Sequence, residues 1–440
     1  MNLKMGSTNP FKEQPGLFSL TRKLLPWTLY ALLIVALIRL YFYPIPPSLS
    51  TTNQFQLPQN SSILITPSSS SLAKEKERAN NVEMVCDYSK GEWVPDKSRP
   101  LYNGSSCGTI KDGQNCMGHG RPDLGFLYWR WRPSQCKLRR FDPTAFLRLI
   151  SHKHLAFVGD SMARNQLESL LCMLTTASSP VALYGGGEEK FRRWRFPSYN
   201  ATVSVYWSPF LVKGTEKSET EYLNRLHFDD VDERWASDLD QIDVIVLSVG
   251  HWFLHPAVYY DGGSVLGCHA CSGENYTEIG FYDVFAKAFR TTLNVIIKNR
   301  SKNGIDVIVT TFSPHHFEGD WDKFGACPKT RPYKPGEKKL EGMDFEMRKA
   351  QVAEVEAAYK SEARKLAGVR MKALDVTELS LMRPDGHPGP YMYPNPFADG
   401  IKERVQNDCV HWCLPGPVDT WNAILLDVMR RWERQSWRAG

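Results

Sequence analysis

Two stretches far apart in the chain hold the residue types that acyl transfer needs. In the first, an apolar run from Leu155 to Val158 stops at Gly159-Asp160-Ser161, and Met162, Leu167, Leu170, Leu171 and Leu174 then recur at helical spacing. The pattern predicts a buried strand, a tight turn and a helix. A serine at that turn stands at a helix N-terminus, whose free N–H groups and dipole favour an oxyanion developing beside it. Gly159 leaves room for the sharp turn. Alone, these residues are more simply a helix cap. The chemistry requires a base. Asn407-Asp408-Cys409-Val410-His411-Trp412-Cys413 supplies a carboxylate three residues before an imidazole, between two cysteines. A serine nucleophile needs an imidazole to take its proton and a carboxylate to fix the tautomer.

Gly159-Asp160-Ser161 followed by Arg164-Asn165-Gln166, with Asp408-x-x-His411 far downstream, resembles the plant trichome birefringence-like family over about residues 83 to 435. The resemblance implies polysaccharide O-acetylation on an α/β fold, an SGNH/GDSL-esterase-like three-layer α/β/α with a mostly parallel sheet. Ser161, His411 and Asp408 are then catalytic. Gly159, Asp160, Arg164, Asn165, Gly250 and His251 are candidates for the oxyanion hole or pocket. Esterases of that type add a glycine amide and an asparagine from later loops, but Gly250 is followed by His251-Trp252 rather than Asn-Asp. Arg164 and Asn165, one turn past Ser161, either face the site or pair locally. The resemblance also implies disulfides Cys86–Cys136 and Cys107–Cys172; the other pairings stay open.

Composition sets the compartment. The 440 residues carry a formal net charge of +6, and no basic block runs through the folded part, which argues against nucleic acid as a partner. The basic cluster from Lys190 to Arg195 reads as a solvated face or a patch for an acidic partner. The ten cysteines all follow an apolar segment, and sequons stand at Asn60, Asn103, Asn200, Asn275 and Asn299, which together point to an oxidising lumen.

In chain order, a polar tail (1–24) precedes residues 25–44, long and apolar enough to span a bilayer. Arg39, Tyr41 and Tyr43 suit the interface. Positive charge before the span predicts a cytosolic N-terminus, and Tyr-Pro-Ile-Pro-Pro after it favours an uncleaved anchor over a signal peptide. Residues 45–82 read as a flexible stem and 83–142 as a cysteine-rich subdomain. Within the latter, Trp129, Arg130, Trp131 and Arg132 are candidates for stacking on and bonding a sugar chain, with one tryptophan expected in the core. Residues 143–440 form the catalytic domain. Helices are expected at 143–151, 281–299, 344–366 and 417–435, buried strands at 242–249 and 305–312, and a further strand near 369–375. An antiparallel or edge strand is expected at 199–211. Buried strands alternating with helices predict a parallel sheet with its site beyond the strand C-termini, near Ser161, Gly250 and Ser313.

Rival constellations exist. Cys268-His269-Ala270-Cys271 has zinc-like spacing, but disulfides are the default in a cysteine-rich lumenal chain, so no metal is expected. His387, two residues from Asp385, is a rival base, and its Pro/Gly setting favours a structural or substrate-binding loop. The leading expectation is a single-pass Golgi enzyme, lumenal in its body, that acetylates a hemicellulose through an acetyl-serine. GHWF at 250–253, GC-x-x-C at 267–271 and the stretch 408–422 look most like the xyloglucan-acetylating branch, where side-chain galactose is the acceptor. Xylan, mannan or pectin acetylation, acetyl esterase activity, and a non-catalytic wall-binding role are the alternatives. No bound cofactor is expected. The acetyl donor is acetyl-CoA or an acetylated carrier, with a donor-supplying membrane protein as a candidate partner.

Overall fold

Along the strand that leads to Ser161, alternate side chains point to opposite faces, and those from Leu155 to Val158 are all apolar. Leu155 and Phe157 join one core cluster and Ala156 and Val158 another. A strand buried on both faces needs cover on both, and the chain supplies it with helices. The computed structural model describes residues 86–184, 190–300, 303–361, 366 and 368–439. The expected tail, membrane span and stem lie outside these residues, and no described helix is long and apolar enough to cross a membrane.

The elements run β1 (Gly91–Pro95), β2 (Trp129–Pro133), α1 (Pro143–Leu149), β3 (His154–Gly159), α2 (Ser161–Thr175), β4 (Val181–Tyr184), β5 (Phe191–Phe196), β6 (Ala201–Trp207), β7 (Val212–Thr215) and β8 (Asn224–Val231). They continue through β9 (Val244–Ser248), β10 (Ala257–Asp261), β11 (Ser264–His269), α3 (Tyr282–Arg300), β12 (Ile305–Thr310), α4 (Gly342–Ser361), β13 (Val369–Leu374), α5 (Thr377–Leu381) and α6 (Val418–Ala439). The main sheet has the order β13-β12-β9-β3-β6-β5-β4. Its first five strands are parallel, and β5 and β4 extend one edge antiparallel. Leucines of α2 and α6 cover one face; Phe285, Phe289 and Leu293 of α3, with Met347 and Val355 of α4, cover the other. This is the three-layer α/β/α arrangement. Successive strands leave β3 on opposite sides, so the crevice beyond β3 is a topological switch point.

Two sequence expectations need correction, and one sheet was unforeseen. β6 pairs antiparallel with β5, as one of the two alternatives had it, but it is parallel to β3 on its other side and so is an interior strand, not an edge. Its alternating polar residue Ser204 is fully buried, and its hydroxyl bonds His154 Nε2 at 2.6 Å. The basic stretch after Lys190 is β5: Trp194 and Phe196 enter the core and Arg193 pairs with Asp238 at 2.8 Å. A second sheet, β11-β10-β8-β7, was not foreseen.

The cysteine-rich segment has only a small cluster of its own, Cys116 and Phe126 with Leu124 and Leu127, closed by Cys413. Tyr88, Trp93, Tyr102 and Trp131 join the cluster that contains α2 and α6. Disulfides join Cys86 to Cys136 and Cys107 to Cys172, and three further pairs join Cys116 to Cys413, Cys268 to Cys271 and Cys327 to Cys409. Two of these reach into the stretch around His411.

Gly159 marks where β3 and β9 approach too closely for a side chain. A Cβ there would lie 1.9 Å from the Ser248 carbonyl oxygen, and φ is 157°. Gly159→Ala is therefore expected to cost about 1–3 kcal/mol of stability, read as a lower denaturant midpoint with an unchanged slope.

Candidate active site

Ser161 opens α2 directly after β3. Asp160, fully buried, caps that helix: its Oδ1 accepts from the Met162 amide at 2.9 Å, and its Oδ2 accepts from the Gly250 amide at 3.0 Å. One carboxylate thus ties the turn after β3 to the turn after β9. Burial pushes its pKa up to about 6 against the pull of those amides. The cap engages the amide of Met162 and not that of Ser161.

His411 lies in a loop, 407–414, that is neither helix nor strand apart from a bridge between Asp408 and Gly389. Asp408 Oδ2 meets His411 Nδ1 at 2.7 Å, and Oδ1 accepts from the amides of Val410 at 3.0 Å and His411 at 2.9 Å. A carboxylate only accepts, so Nδ1 carries the hydrogen and Nε2 presents its lone pair. Nε2 is shielded from solvent and has no hydrogen-bond partner among the described residues; the bond to the Ser161 hydroxyl is not made in this structure. Such bonds often close only with substrate bound. Burial acts to lower the His411 pKa, but the Asp408 charge and hydrogen bond outweigh it and the value is raised above 6.5. Burial opposes the Asp408 charge too, yet His411 and the two amides hold that carboxyl well below its usual range.

Helix and loop are stapled together. Asn165, one turn past Ser161, accepts from the Trp412 amide at 2.8 Å and donates to the Trp412 carbonyl at 3.2 Å and to Gln114 Oε1 at 3.0 Å. The Trp412 indole donates to Ser313 Oγ at 3.0 Å, and the Ser313 carbonyl accepts from His251 Nε2 at 2.9 Å. The ends of β3, β9 and β12 therefore meet the His411 loop in one place.

Several candidates have other roles. The Asn165 side chain and the Gly250 amide are committed to the bonds above, so neither is a free oxyanion donor. Gly159 and Asp160 are buried parts of the turn, and Arg164 pairs with Glu168 at 2.8 Å. His251 remains beside the site, its pKa lowered by burial to about 3 and therefore neutral. Trp131 is 2% exposed and its indole donates to the Tyr88 carbonyl, while Arg132 pairs with Glu92 on the paired strand. Trp129 and Arg130 line a cleft of about 140 Å³ with Arg139, Arg140 and Met173. Met173 is twelve residues along α2 from Ser161, about 18 Å. Pro415 and Gly416, just past the His411 loop, also line that cleft.

His387 is neither a rival base nor an acceptor contact. It is 3% exposed; its Nδ1 bonds the His411 carbonyl at 2.7 Å and its Nε2 meets His316 Nδ1 at 2.7 Å. Asp385 is bound by Arg383 at 2.8 Å and does not orient it. Cys268 and Cys271, near Glu278, are joined as a disulfide and so offer no thiolates to a metal.

The sequence reading missed Trp207 and Trp252. Trp207 is the register partner of Gly159, and its ring meets that of Trp252 edge-on at 5.4 Å. Both are partly exposed beside the site, Trp207 at the end of β6 and Trp252 in the short turn after β9. The aromatic pair at 206–207 closing an apolar strand was the available signal, hidden because the direction of that strand was unknown.

Residues 138–428 match the GDSL/SGNH-like acyl-esterase family found in Pmr5 and Cas1p, and residues 84–137 match the PMR5 N-terminal domain. The chain belongs to this family. It is 62% identical to xyloglucan O-acetyltransferase 1 of Populus trichocarpa over 99% of this chain and 100% of that protein. It is 56% identical to xyloglucan O-acetyltransferase 1 of Arabidopsis thaliana over 94% of this chain and 97% of that protein. Identity to protein trichome birefringence-like 25 of Arabidopsis thaliana is 44%, over 81% of this chain and 79% of that protein. Serine, histidine and aspartate thus stand in a family of acyl-transfer proteins with a hydrogen bond already orienting the imidazole.

A base with a raised pKa loses its lone pair as pH falls. kcat/KM should therefore fall on the acid side through a value above 6.5. Asp408→Asn removes the charge that raises it, so the acid limb should move to lower pH while kcat drops by roughly 10⁴-fold. An unmoved limb in a pH–rate profile of the folded variant would contradict this.

Proposed function

We propose that the chain is a polysaccharide O-acetyltransferase that acetylates xyloglucan, with side-chain galactose as the acceptor. The observation that carries the chemistry is His411 Nε2, shielded, without a partner among the described residues and aligned by Asp408, beside the helix that begins with Ser161. The acceptor assignment is supported by likeness to relatives named xyloglucan O-acetyltransferase across nearly their whole length.

Ser161 Oγ attacks the acetyl carbonyl carbon as its proton passes to His411 Nε2. The oxyanion faces the N-terminus of α2, where the Ser161 amide donates. The proton then goes to the departing group, leaving acetyl-serine and a neutral imidazole. A sugar hydroxyl attacks next, again losing its proton to Nε2. Collapse returns the Ser161 oxygen, which recovers the proton. Trp207 and Trp252 offer apolar faces for a sugar beside that centre, which favours a bound hydroxyl over water.

Full-length protein in detergent, given an acetyl donor and xyloglucan oligosaccharide, should add acetyl to galactose. Ser161→Ala and His411→Ala should each abolish most transfer, and the double variant should cost little more than either alone. Acetyl loss from an acetylated oligosaccharide would mark an esterase instead. Binding without either reaction would mark a wall-binding protein.

We further propose that residues 25–44 anchor the chain in the Golgi membrane with residues 83–440 in the lumen. The raw materials of that reading are the apolar span, the basic residues before it and the sequons after it. The mature protein should begin near Met1 and stay with membranes after a carbonate wash. A soluble product beginning near residues 45–50 would overturn the anchor.

A further inference from the structure

Behind His411 lie two imidazoles that the transfer steps do not use. His387 Nδ1 contacts the His411 carbonyl oxygen at 2.7 Å, His387 Nε2 contacts His316 Nδ1 at 2.7 Å, and His316 Nε2 contacts the Leu381 carbonyl oxygen at 2.9 Å. A carbonyl oxygen only accepts, so both outer nitrogens must carry hydrogen. A neutral imidazole has a single N–H. Two neutral rings with those tautomers would meet through two lone pairs at the central contact, which repel. Closing all three contacts takes three protons on two rings.

We propose that His316 and His387 form a proton-sharing pair with one net positive charge, and that in this form the pair fixes the main chain of His411 for base catalysis. This rests on His411 being the base of the proposed transfer. If the third proton leaves, one of the three bonds must open. The rings separate, or His316 changes tautomer and gives up the Leu381 carbonyl, or His387 changes tautomer and turns a lone pair toward the His411 carbonyl. The first two remove the support behind His387, and the third frees the loop that carries the base directly.

The surroundings make the charge conditional. Burial of the rings acts against it and lowers both pKa values, that of His316 to about 4 and that of His387 well below 6.5. So do His315 and Lys338 near His316, and Arg121, which donates to the His387 carbonyl at 2.7 Å. The Asp408 carboxylate favours it. So does the face of Trp412, which stacks on His387 with centroids 4.1 Å apart. The His411 ring adds repulsion when it is protonated. Arg383 and Asp385, on the His387 loop, neutralise one another, and Tyr333 has its ring 6.4 Å from that of His316. The three bonds close together only in the charged form, and each bond to a charged ring is stronger than a neutral one. The pair therefore gives up its extra proton as pH rises, and kcat should acquire an alkaline limb that belongs to neither Ser161 nor Asp408.

The test counts protons directly and then moves the limb. In full-length protein labelled with nitrogen-15 histidine, ring correlations at the pH of maximal turnover should show three nitrogen-bound hydrogens on His316 and His387 together. Two hydrogens, on whichever nitrogens they sit, would overturn the proposal. His316→Leu should lower kcat roughly 10–100-fold with KM within about twofold, the size expected for a displaced base. His316→Gln offers a neutral amide N–H to His387 Nε2 and should restore most of kcat while abolishing the alkaline limb. Equal kcat and an unchanged pH profile in both variants would also overturn it. Should the leucine variant fail to fold, the glutamine variant and the proton count still decide. The count does not depend on turnover, so a His411→Ala enzyme that stays active would refute the base assignment and leave the pair's charge to be judged separately.

Discussion

The two bonds between Asn165 and the main chain of Trp412 join the helix that begins at Ser161 to the loop that carries His411. That loop has no helix or sheet to satisfy its backbone, so its polar groups must find partners elsewhere. Asp408 and Gly389 exchange backbone bonds at 2.8 and 3.0 Å, the Cys413 amide reaches the Gly386 carbonyl at 2.9 Å, and the Leu414 amide reaches the Gln114 carbonyl at 2.9 Å. Disulfides to Cys327 and Cys116 hold the loop near both ends. Each hydrogen bond contributes only about 1 kcal/mol net, yet leaving such a buried group unpaired costs more, so the loop has few alternative positions.

This explains what the segment before the catalytic domain does. Gln114, Cys116 and Arg121 all reach the His411 loop or the stretch behind it, with Arg121 donating to the carbonyls of Asp385 and His387 at 2.7 Å each. The segment adds aromatic side chains to a shared core and polar side chains to a shared loop. It completes the domain that positions the base.

Two carboxylates near the centre have opposite fates for one reason. Asp160 is buried with amides as partners, and burial dominates, so its pKa rises to about 6. Asp408 has amides and an imidazole that gains a proton during the reaction, and those partners dominate. The first clamps two turns; the second orients a base. Both are aspartates beside glycine or cysteine in the sequence, but only Asp408 has an imidazole three residues on. Its partners are its own neighbours Val410 and His411, whereas Asp160 is also bound from the turn after β9 by the Gly250 amide.

The sequence alone determined the strand, turn and helix around Ser161, because periodicity and a glycine are local signals. It also determined the parallel strands 244–248 and 305–310, since runs of apolar residues mark strands covered on both faces, and placed a further strand at 369–374, which the fold puts at the sheet edge. Asp408 and His411 were legible as a pair because three residues of spacing suffice to bring them together. Only the tertiary structure decided the rest. β6 looked like an edge because Ser204 interrupts its apolar pattern, and the partner that makes that serine tolerable, His154, stands fifty residues away. Asn165 looked like a possible donor to substrate, and only the fold commits it to Trp412. His387 looked like a base or a sugar contact, and only the packing of the loop behind His411 turns both of its nitrogens inward. Short-range patterns fix which elements form. Which polar groups remain free for chemistry depends on partners hundreds of residues away, and no local pattern carries that information.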